Sequence, residues 1–262
     1  MKKFLRITLI GGVLSYRALF DWLSPWVLIP SFIVTPLAQI MLFAYMGRNA
    51  GVGTDQFFVI GNAIQYSAIP CLFGMTNTIV TERLENTLGS LFVSPAPRLA
   101  LVLGRSLPVM VNGFAVSLFA LFAGSAVMGV DIRLTTVLPV LVSIVCANLS
   151  CTGLGLVNAA FGLRFRDISV VSNVLFGVLL IFTGANVPRA QLPDWIVRTG
   201  DVLPMTHSIE AARLLAAGGG VAEAGRLLGT ELALGIGYGV VGAVALRLLE
   251  LRSRRAASLE TV

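Results

Sequence analysis

Charged side chains are scarce in this 262-residue chain: 12% of the residues are Asp, Glu, Lys or Arg, and the mean hydropathy is +0.87. Because soluble domains carry about 25% charged residues, this composition excludes an ordinary soluble protein. Apolar residues make up 56% of the chain and form continuous runs rather than an alternating pattern, which favours transmembrane helices over barrel strands. We therefore predict an all-α polytopic membrane protein.

Lysine is almost absent, since Lys2 and Lys3 are the only two in the sequence. An ATP-binding P-loop needs a glycine-rich turn and a lysine that reaches the β- and γ-phosphates, and neither lysine follows such a turn. The 262 residues therefore contain no P-loop ATPase site. The formal net charge of +6 comes mostly from arginines, which we assign to loops at an anionic membrane surface rather than to nucleic-acid binding.

Histidine and cysteine are too few for metal or nucleophilic chemistry. His207 is the only histidine, and we interpret it as a loop residue. Cys71, Cys146 and Cys151 all lie in apolar runs and are interpreted as small buried residues without disulfides. No group has metal-ligand spacing and no G-x-S-x-G motif occurs, so we expect no catalytic residue, no metal and no cofactor in this chain.

Acidic residues are missing from the middle of every apolar run. Glu231 is expected near one end of the last run and Glu250 at the other. Transporters driven by protons or sodium usually carry carboxylates near the membrane midplane and inverted repeats of broken helices, and neither feature is apparent. The sequence therefore disfavours ion-coupled transport.

Six apolar runs are long enough to cross a membrane, and residues 1–24 mix charged and apolar positions as an interfacial amphipathic helix does. The runs cover about residues 25–46, 57–79, 105–128, 135–163, 169–187 and 227–249. In the fourth of them we expect a tilt or a break near Gly153 and Gly155.

The distribution of Lys and Arg predicts the orientation of these spans. With both termini in the cytoplasm, thirteen of the basic residues lie in inner segments and six in outer ones. The outer six are Arg48, Arg133, Arg189, Arg198, Arg213 and Arg226.

Two stretches between the spans stand out. Residues 81–98 form a predicted cytosolic amphipathic helix with Leu84, Leu88 and Leu91 on one face, ended by prolines. Residues 188–226 are broken by prolines and predict an extracellular re-entrant helical hairpin, in which Glu210 and Arg213 would pair at i, i+3.

Both stretches resemble ABC-2-type exporter permeases. The first carries Glu82-Arg83, Asn86-Thr87-Leu88 and Ser94-Pro95, similar to the family's cytosolic segment after span two. The second, TGANVPRAQLPDWIVRTGDVLPMTHSIEAARLLAAGG, is similar to the family's extracellular segment before its last span. The resemblance extends over nearly all of residues 1–262, which we treat as one transmembrane domain.

The resemblance implies a division of labour. A separate nucleotide-binding ATPase subunit would hold ATP and Mg²⁺, and a second permease subunit, identical or paralogous, would complete the path in the lipid of a bacterial plasma membrane. Residues 81–98 would be the coupling helix, with a smaller contact at the loop 164–167. The coupling residues would be Glu82, Arg83, Glu85, Asn86, Leu88, Arg164, Arg166 and Asp167.

The residues near the implied path are Gln39, Gln65, Tyr66 and Asn173. Polar residues in span two would equally serve as interhelical hydrogen-bond partners. Likewise, residues 81–94 alone would fit a helix lying on lipid, and the loop 164–167 an ordinary basic cytoplasmic loop.

Three functions are compatible with these observations. The family's short members favour export of a hydrophobic drug, antibiotic or lipid. Residues 164–168, Arg-Phe-Arg-Asp-Ile, resemble the polysaccharide-exporting branch, so export of a lipid-linked glycan is the alternative. A membrane anchor or sensor that binds a partner through residues 81–105 without transport is the third.

Overall fold

A computed structural model describes residues 11–13, 30–78, 98–131, 134–162 and 168–256, and its regular structure in these ranges is helical. Two five-residue π-turns interrupt the α-helices, Pro30–Val34 before α1 and Pro70–Gly74 after α2. A short 3₁₀ turn at Arg189–Gln191 precedes α6. The longer helices are α1 (Thr35–Ala50), α2 (Asp55–Gln65), α3 (Arg98–Met128), α4 (Leu134–Gly162), α5 (Ile168–Phe182), α6 (Asp194–Val202), α7 (Thr206–Ala216) and α8 (Val221–Ala256).

Four helical stretches in the described residues are long and apolar enough to cross a membrane, which agrees with predicted spans two, three, four and six. They are Asp55–Thr78, Gly104–Met128, Thr136–Gly162 and Val221–Leu249. Predicted span five corresponds to α5, an apolar helix of 15 residues, and predicted span one to α1 with the π-turn before it. An all-helical membrane protein is confirmed, while the six-span count stays a prediction.

The turn between α1 and α2 is short because both helix ends are locally satisfied. Gly51 takes the left-handed conformation at φ 65° and ends α1, and the Thr54 side chain accepts from the Phe57 N–H at the start of α2. Arg48 and Asp55 form an ion pair across the turn. α1 therefore extends to Ala50, slightly beyond the predicted end of span one.

The core is built around α2, whose residues from Phe58 to Gln65 are all buried. It packs against α1, α3, α4 and α7, while α8 packs on α4 and α7 and exposes most of its remaining surface. The apolar residues exposed on α8 include Ile236, Val240 and Val244. A membrane helix can leave such side chains outside the protein because lipid tails are as apolar as they are.

Of the tilt or break predicted for span four, the break is wrong, since α4 is continuous through Gly153 and Gly155, and the tilt stays a prediction. A Cβ atom at Gly153 would lie 2.6 Å from the Gly235 carbonyl oxygen of α8, and one at Gly155 would lie 2.2 Å from the Cys71 carbonyl oxygen. These glycines allow neighbouring backbones to approach closely, which is their common role in membrane helix packing. The three cysteines, all described, are buried and form no disulfide with one another, as predicted.

Several predicted features lie wholly or largely outside the described residues. The interfacial helix of residues 1–24 is described only at 11–13, and the coupling helix of residues 81–98 only at Arg98, where α3 begins. The loop that contains Arg164, Arg166 and Asp167 is likewise outside the described ranges. These remain predictions.

Candidate functional site

A buried carboxylate from α8 caps the first turn of α7. One oxygen of Glu231, Oε1, accepts from the Met205 N–H at 2.6 Å, and the other, Oε2, accepts from the His207 N–H at 3.1 Å and the Ser208 N–H at 3.2 Å. The Ser150 hydroxyl of α4 also donates to Oε1. Glu231 is completely inaccessible to solvent, so these four donors replace its hydration.

The start of α7 needs this outside acceptor because its own sequence supplies none. Met205 occupies the N-cap position, where Ser, Thr, Asp or Asn would normally accept a hydrogen bond from the first turn. Met205 also has a left-handed backbone at φ 76°, which is strained for a residue with a long side chain. Contacts with the carboxylate therefore hold a backbone conformation that the local sequence does not favour.

The capped end of α7 lies well inside the helical bundle. Glu231 follows the first residue of α8, Val221, by ten positions, which corresponds to about 15 Å along the helix axis. Ser150 lies near the middle of α4. Glu231 is thus deeper in its helix than the sequence predicts, and α7 begins beside the middle of a membrane-spanning helix.

The last turns of α7 are held by a buried guanidinium. Arg213 donates from Nη1 to the Gly184 carbonyl at 2.8 Å and from Nη2 to the carbonyls of Ala185 at 2.6 Å and Phe57 at 2.9 Å. Its Cζ also lies 3.4 Å from the centroid of the Phe57 ring. Burial lowers the pKa of Arg213 to about 9, which leaves the group protonated at neutral pH.

A glycine makes room for this guanidinium. A Cβ atom at Gly61 would lie 2.2 Å from Nη2 of Arg213 and 2.6 Å from the Ala185 carbonyl oxygen. Because Phe57 and Gly61 belong to α2 and Ala185 follows α5, Arg213 joins the start of α2 to the end of α5.

Ion pairs connect the remaining parts of residues 188–220, which we call the α6–α7 segment. Arg189 pairs with Asp201 of α6 and with Glu210 of α7. The predicted pairing of Glu210 with Arg213 is therefore wrong: Glu210 bonds to Arg189 and acts on Arg213 only through the electrostatic field. His207 is not a loop residue either, because it lies in the first turn of α7 with Nε2 3.0 Å from the Asp201 carbonyl.

Polar side chains of α1 and α2 form a second cluster. Gln39 donates to Asn62 at 3.0 Å, and Tyr66, which follows α2, is buried. Gln65 is completely buried, and neither of its amide atoms finds a partner among the described residues. The cluster therefore joins α1 to α2 through a hydrogen bond and leaves the Gln65 amide without a partner among the described residues.

A family model for ABC-2 type transporters matches residues 12–216. The chain belongs to the ABC-2 type transporter family. It is a membrane permease of an ABC transporter, and the family implies an ATPase partner. A comparison with curated proteins finds no match to this sequence.

The four path residues predicted for this ABC-2 permease differ in exposure. Gln65 and Tyr66 are buried within the subunit, whereas Gln39 is partly exposed and Asn173 is exposed on α5. Within the described part of the chain, Asn173 bonds to its own helix, at the Ser169 carbonyl 2.9 Å away. The structure brings Gln39 close to the α2 cluster but does not gather all four residues at one surface.

The sequence carries a signal for the Glu231 site that hydropathy and charge patterns do not reveal. A helix with Met at its N-cap needs an acceptor from elsewhere in the chain. Glu231 is the one carboxylate well inside the candidate span Val221–Leu249. A helix start without its own acceptor and a carboxylate inside an apolar span, 26 residues later, together indicate a hydrogen bond between them. The structure of this ABC-2 permease contains this bond, from the Met205 N–H to Glu231.

Proposed function

We propose that this ABC-2 permease is one half of an ATP-driven exporter that moves a hydrophobic drug, antibiotic or lipid-like substrate out of a bacterial cell. In this proposal it has six spans and cytoplasmic termini, and a second permease subunit completes the path. The observation that carries the proposal is the position of α7, which begins beside the middle of α4 and ends at the first turn of α2. A non-spanning helix at this depth fits an extracellular lid on an export path.

The exposed surface near the path candidates favours a hydrophobic substrate. Gln39 shares a face of α1 with the exposed residues Leu42 and Met46. On α5, Asn173 lies in the sequence between the exposed residues Val170 and Val174. A glycan path would need several polar and aromatic side chains at such positions, whereas Tyr45 is the one exposed aromatic residue among the described residues of α1. We therefore favour a lipid-soluble substrate over a lipid-linked polysaccharide.

Coupling to the ATPase subunit is proposed through residues 81–98. This segment joins the helical stretch that ends at Thr78 to α3, which begins at Arg98, and α2 and α3 pack directly on each other. A displacement of the segment would therefore act on α2, whose residues from Phe58 to Gln65 are all buried. Glu82, Arg83 and Glu85 are the proposed contacts, with Arg164, Arg166 and Asp167 as a smaller second contact.

The test is affinity purification of the chain from its native membrane, followed by ATPase and flux assays after reconstitution. We expect a copurifying ATPase and ATP-dependent efflux of a hydrophobic fluorescent dye. Arg83→Gln should lower the transport obtained per ATP hydrolysed, whereas Arg226→Gln, which removes an exposed arginine at the start of α8, should not.

The outcomes separate the candidate functions. ATP-dependent movement of a lipid-linked glycan but not of the dye would replace the substrate assignment. A chain that purifies without any ATP-hydrolysing partner and supports no flux would refute the exporter and favour an anchor or sensor. Equal effects of Arg83→Gln and Arg226→Gln would refute the coupling assignment.

A further inference from the structure

We propose that Glu231 is the positioning residue of the lid: its carboxylate anchors the deep end of α7 to α8 and α4 and keeps the path sealed between transport cycles. The inference rests on the proposed exporter function, in which the α6–α7 segment is the lid. It assigns a transport role to a carboxylate that is completely buried between α4, α7 and α8.

The geometry supports an anchor because two different groups hold the two ends of α7. Glu231 binds the first turn of α7 and also Ser150 of α4, so it joins three helices. Arg213 binds the far end to the start of α2 and to the turn after α5. Loss of Glu231 would remove the bonds that join the first turn of α7 to α8 and α4, while Arg213 would still hold the far end. The bonds that remain near the deep end run through α6: Thr206 and His207 bond to its last turn, and the Tyr238 hydroxyl donates to the Val202 carbonyl at 2.7 Å.

The chemistry requires a carboxylate and not merely a polar side chain. The Glu231 oxygens accept from the N–H groups of Met205, His207 and Ser208. A glutamine amide offers one oxygen as an acceptor and turns an NH₂ group towards the remaining N–H donors. It also loses the negative charge that a helix N-terminus favours. Glu231→Gln is therefore nearly isosteric but should release the first turn of α7.

Release of the first turn of α7 can be measured at Ser208, a buried residue of that turn. Ser208 is completely buried, and its hydroxyl has no partner among the described residues, so Ser208→Cys adds a thiol with little disturbance. The full-length chain would carry this cysteine with the three native cysteines replaced by alanine. In nanodiscs, a membrane-impermeant maleimide reaches both faces, so labelling does not depend on the orientation of the protein.

We expect Glu231→Gln to raise the labelling rate at position 208 on the order of tenfold or more, because it removes charge-assisted hydrogen bonds. Glu223→Gln is the matched control, since Glu223 is an exposed carboxylate on the same helix. Val221→Cys, at an exposed position, should label equally in all backgrounds.

If Glu231→Gln does not yield folded protein, Ser150→Ala tests the same anchor while leaving the carboxylate and its backbone donors intact. It should give a smaller rise in labelling at position 208. Unchanged labelling at this position in folded Glu231→Gln and Ser150→Ala proteins would overturn the proposal without touching the exporter assignment.

A transport readout separates an anchor from a general structural role. In the complex with its ATPase, Glu231→Gln should lower substrate flux at least severalfold while ATP hydrolysis continues, because a released lid no longer retains exported substrate. Glu231→Asp, which keeps the charge, should restore part of the flux. A parallel loss of ATP hydrolysis, flux and protein yield would refute the positioning role, and absence of any ATPase partner would refute the proposed function alone.

Discussion

Replacing Arg213 by methionine should strongly destabilise the subunit. The change removes the guanidinium from the carbonyl oxygens of Phe57, Gly184 and Ala185, and from the face of the Phe57 ring. Each buried acceptor left unpaired costs about 1–3 kcal/mol, and a desolvated cation–π contact contributes about 2 kcal/mol. Methionine no longer requires burial of a charge, which offsets part of this loss. We expect a net loss of about 3–4 kcal/mol.

The assay is thermal unfolding of the purified full-length chain, followed by intrinsic tryptophan fluorescence. For a chain of this size, about 3 kcal/mol corresponds to a fall in Tm of about 6–12 °C. Arg213→Lys should cause about half this fall, since an ammonium group keeps the charge but lacks the planar fork that reaches several carbonyls at once. Arg198→Met is the control, because Arg198 is exposed on α6. Equal Tm values for the Arg213 and Arg198 variants would refute the reasoning.

Two further stability predictions use the same assay. Gly61→Ala should lower Tm by several degrees, because its Cβ would lie 2.2 Å from Nη2 of Arg213, whereas Gly237→Ala adds a methyl group in open space and should be neutral; equal Tm values would contradict the packing argument. Asn158→Leu breaks hydrogen bonds to Thr76 and Ser172 but also removes a buried, unpaired oxygen. Since such bonds in membrane bundles average about 0.6 kcal/mol each, the loss of both should lower Tm by no more than about 5 °C, and a fall as large as that of Arg213→Met would show that this estimate is wrong.

The helical membrane fold was predictable because it depends on the composition and length of apolar runs. Span four was located correctly, but its predicted break was wrong, since glycine in a membrane helix serves backbone contact as readily as bending. Sequence alone does not reveal that Gly153 faces Gly235 of α8, because that contact depends on how two distant helices pack.

The candidate site was predicted only in outline. Proline positions and the family resemblance indicated helices between residues 188 and 226, and α6 and α7 lie there. The pairing of charges was wrong for a physical reason: Glu210 and Arg213 are neighbours on α7, but Arg213 is drawn into the bundle by backbone carbonyls. Local spacing predicts exposed pairs better than it predicts a charge whose partners come from other helices.

The π-turn at Pro70–Gly74 has a consequence for helical phase. A π-turn holds one more residue than an α-helical turn, so every following side chain is rotated by about 100° from where an uninterrupted helix would place it. This rotation brings the Thr76 hydroxyl to the side chain of Asn158 on α4, which donates a hydrogen bond to it at 2.9 Å. Deleting one residue within the π-turn would keep the composition and nearly the length of this span but turn Thr76 to another face. The part of span two after the π-turn is thus rotated relative to the part before it. A related sequence that lacks one residue in Pro70–Gly74 would place different side chains against α4 beyond the turn.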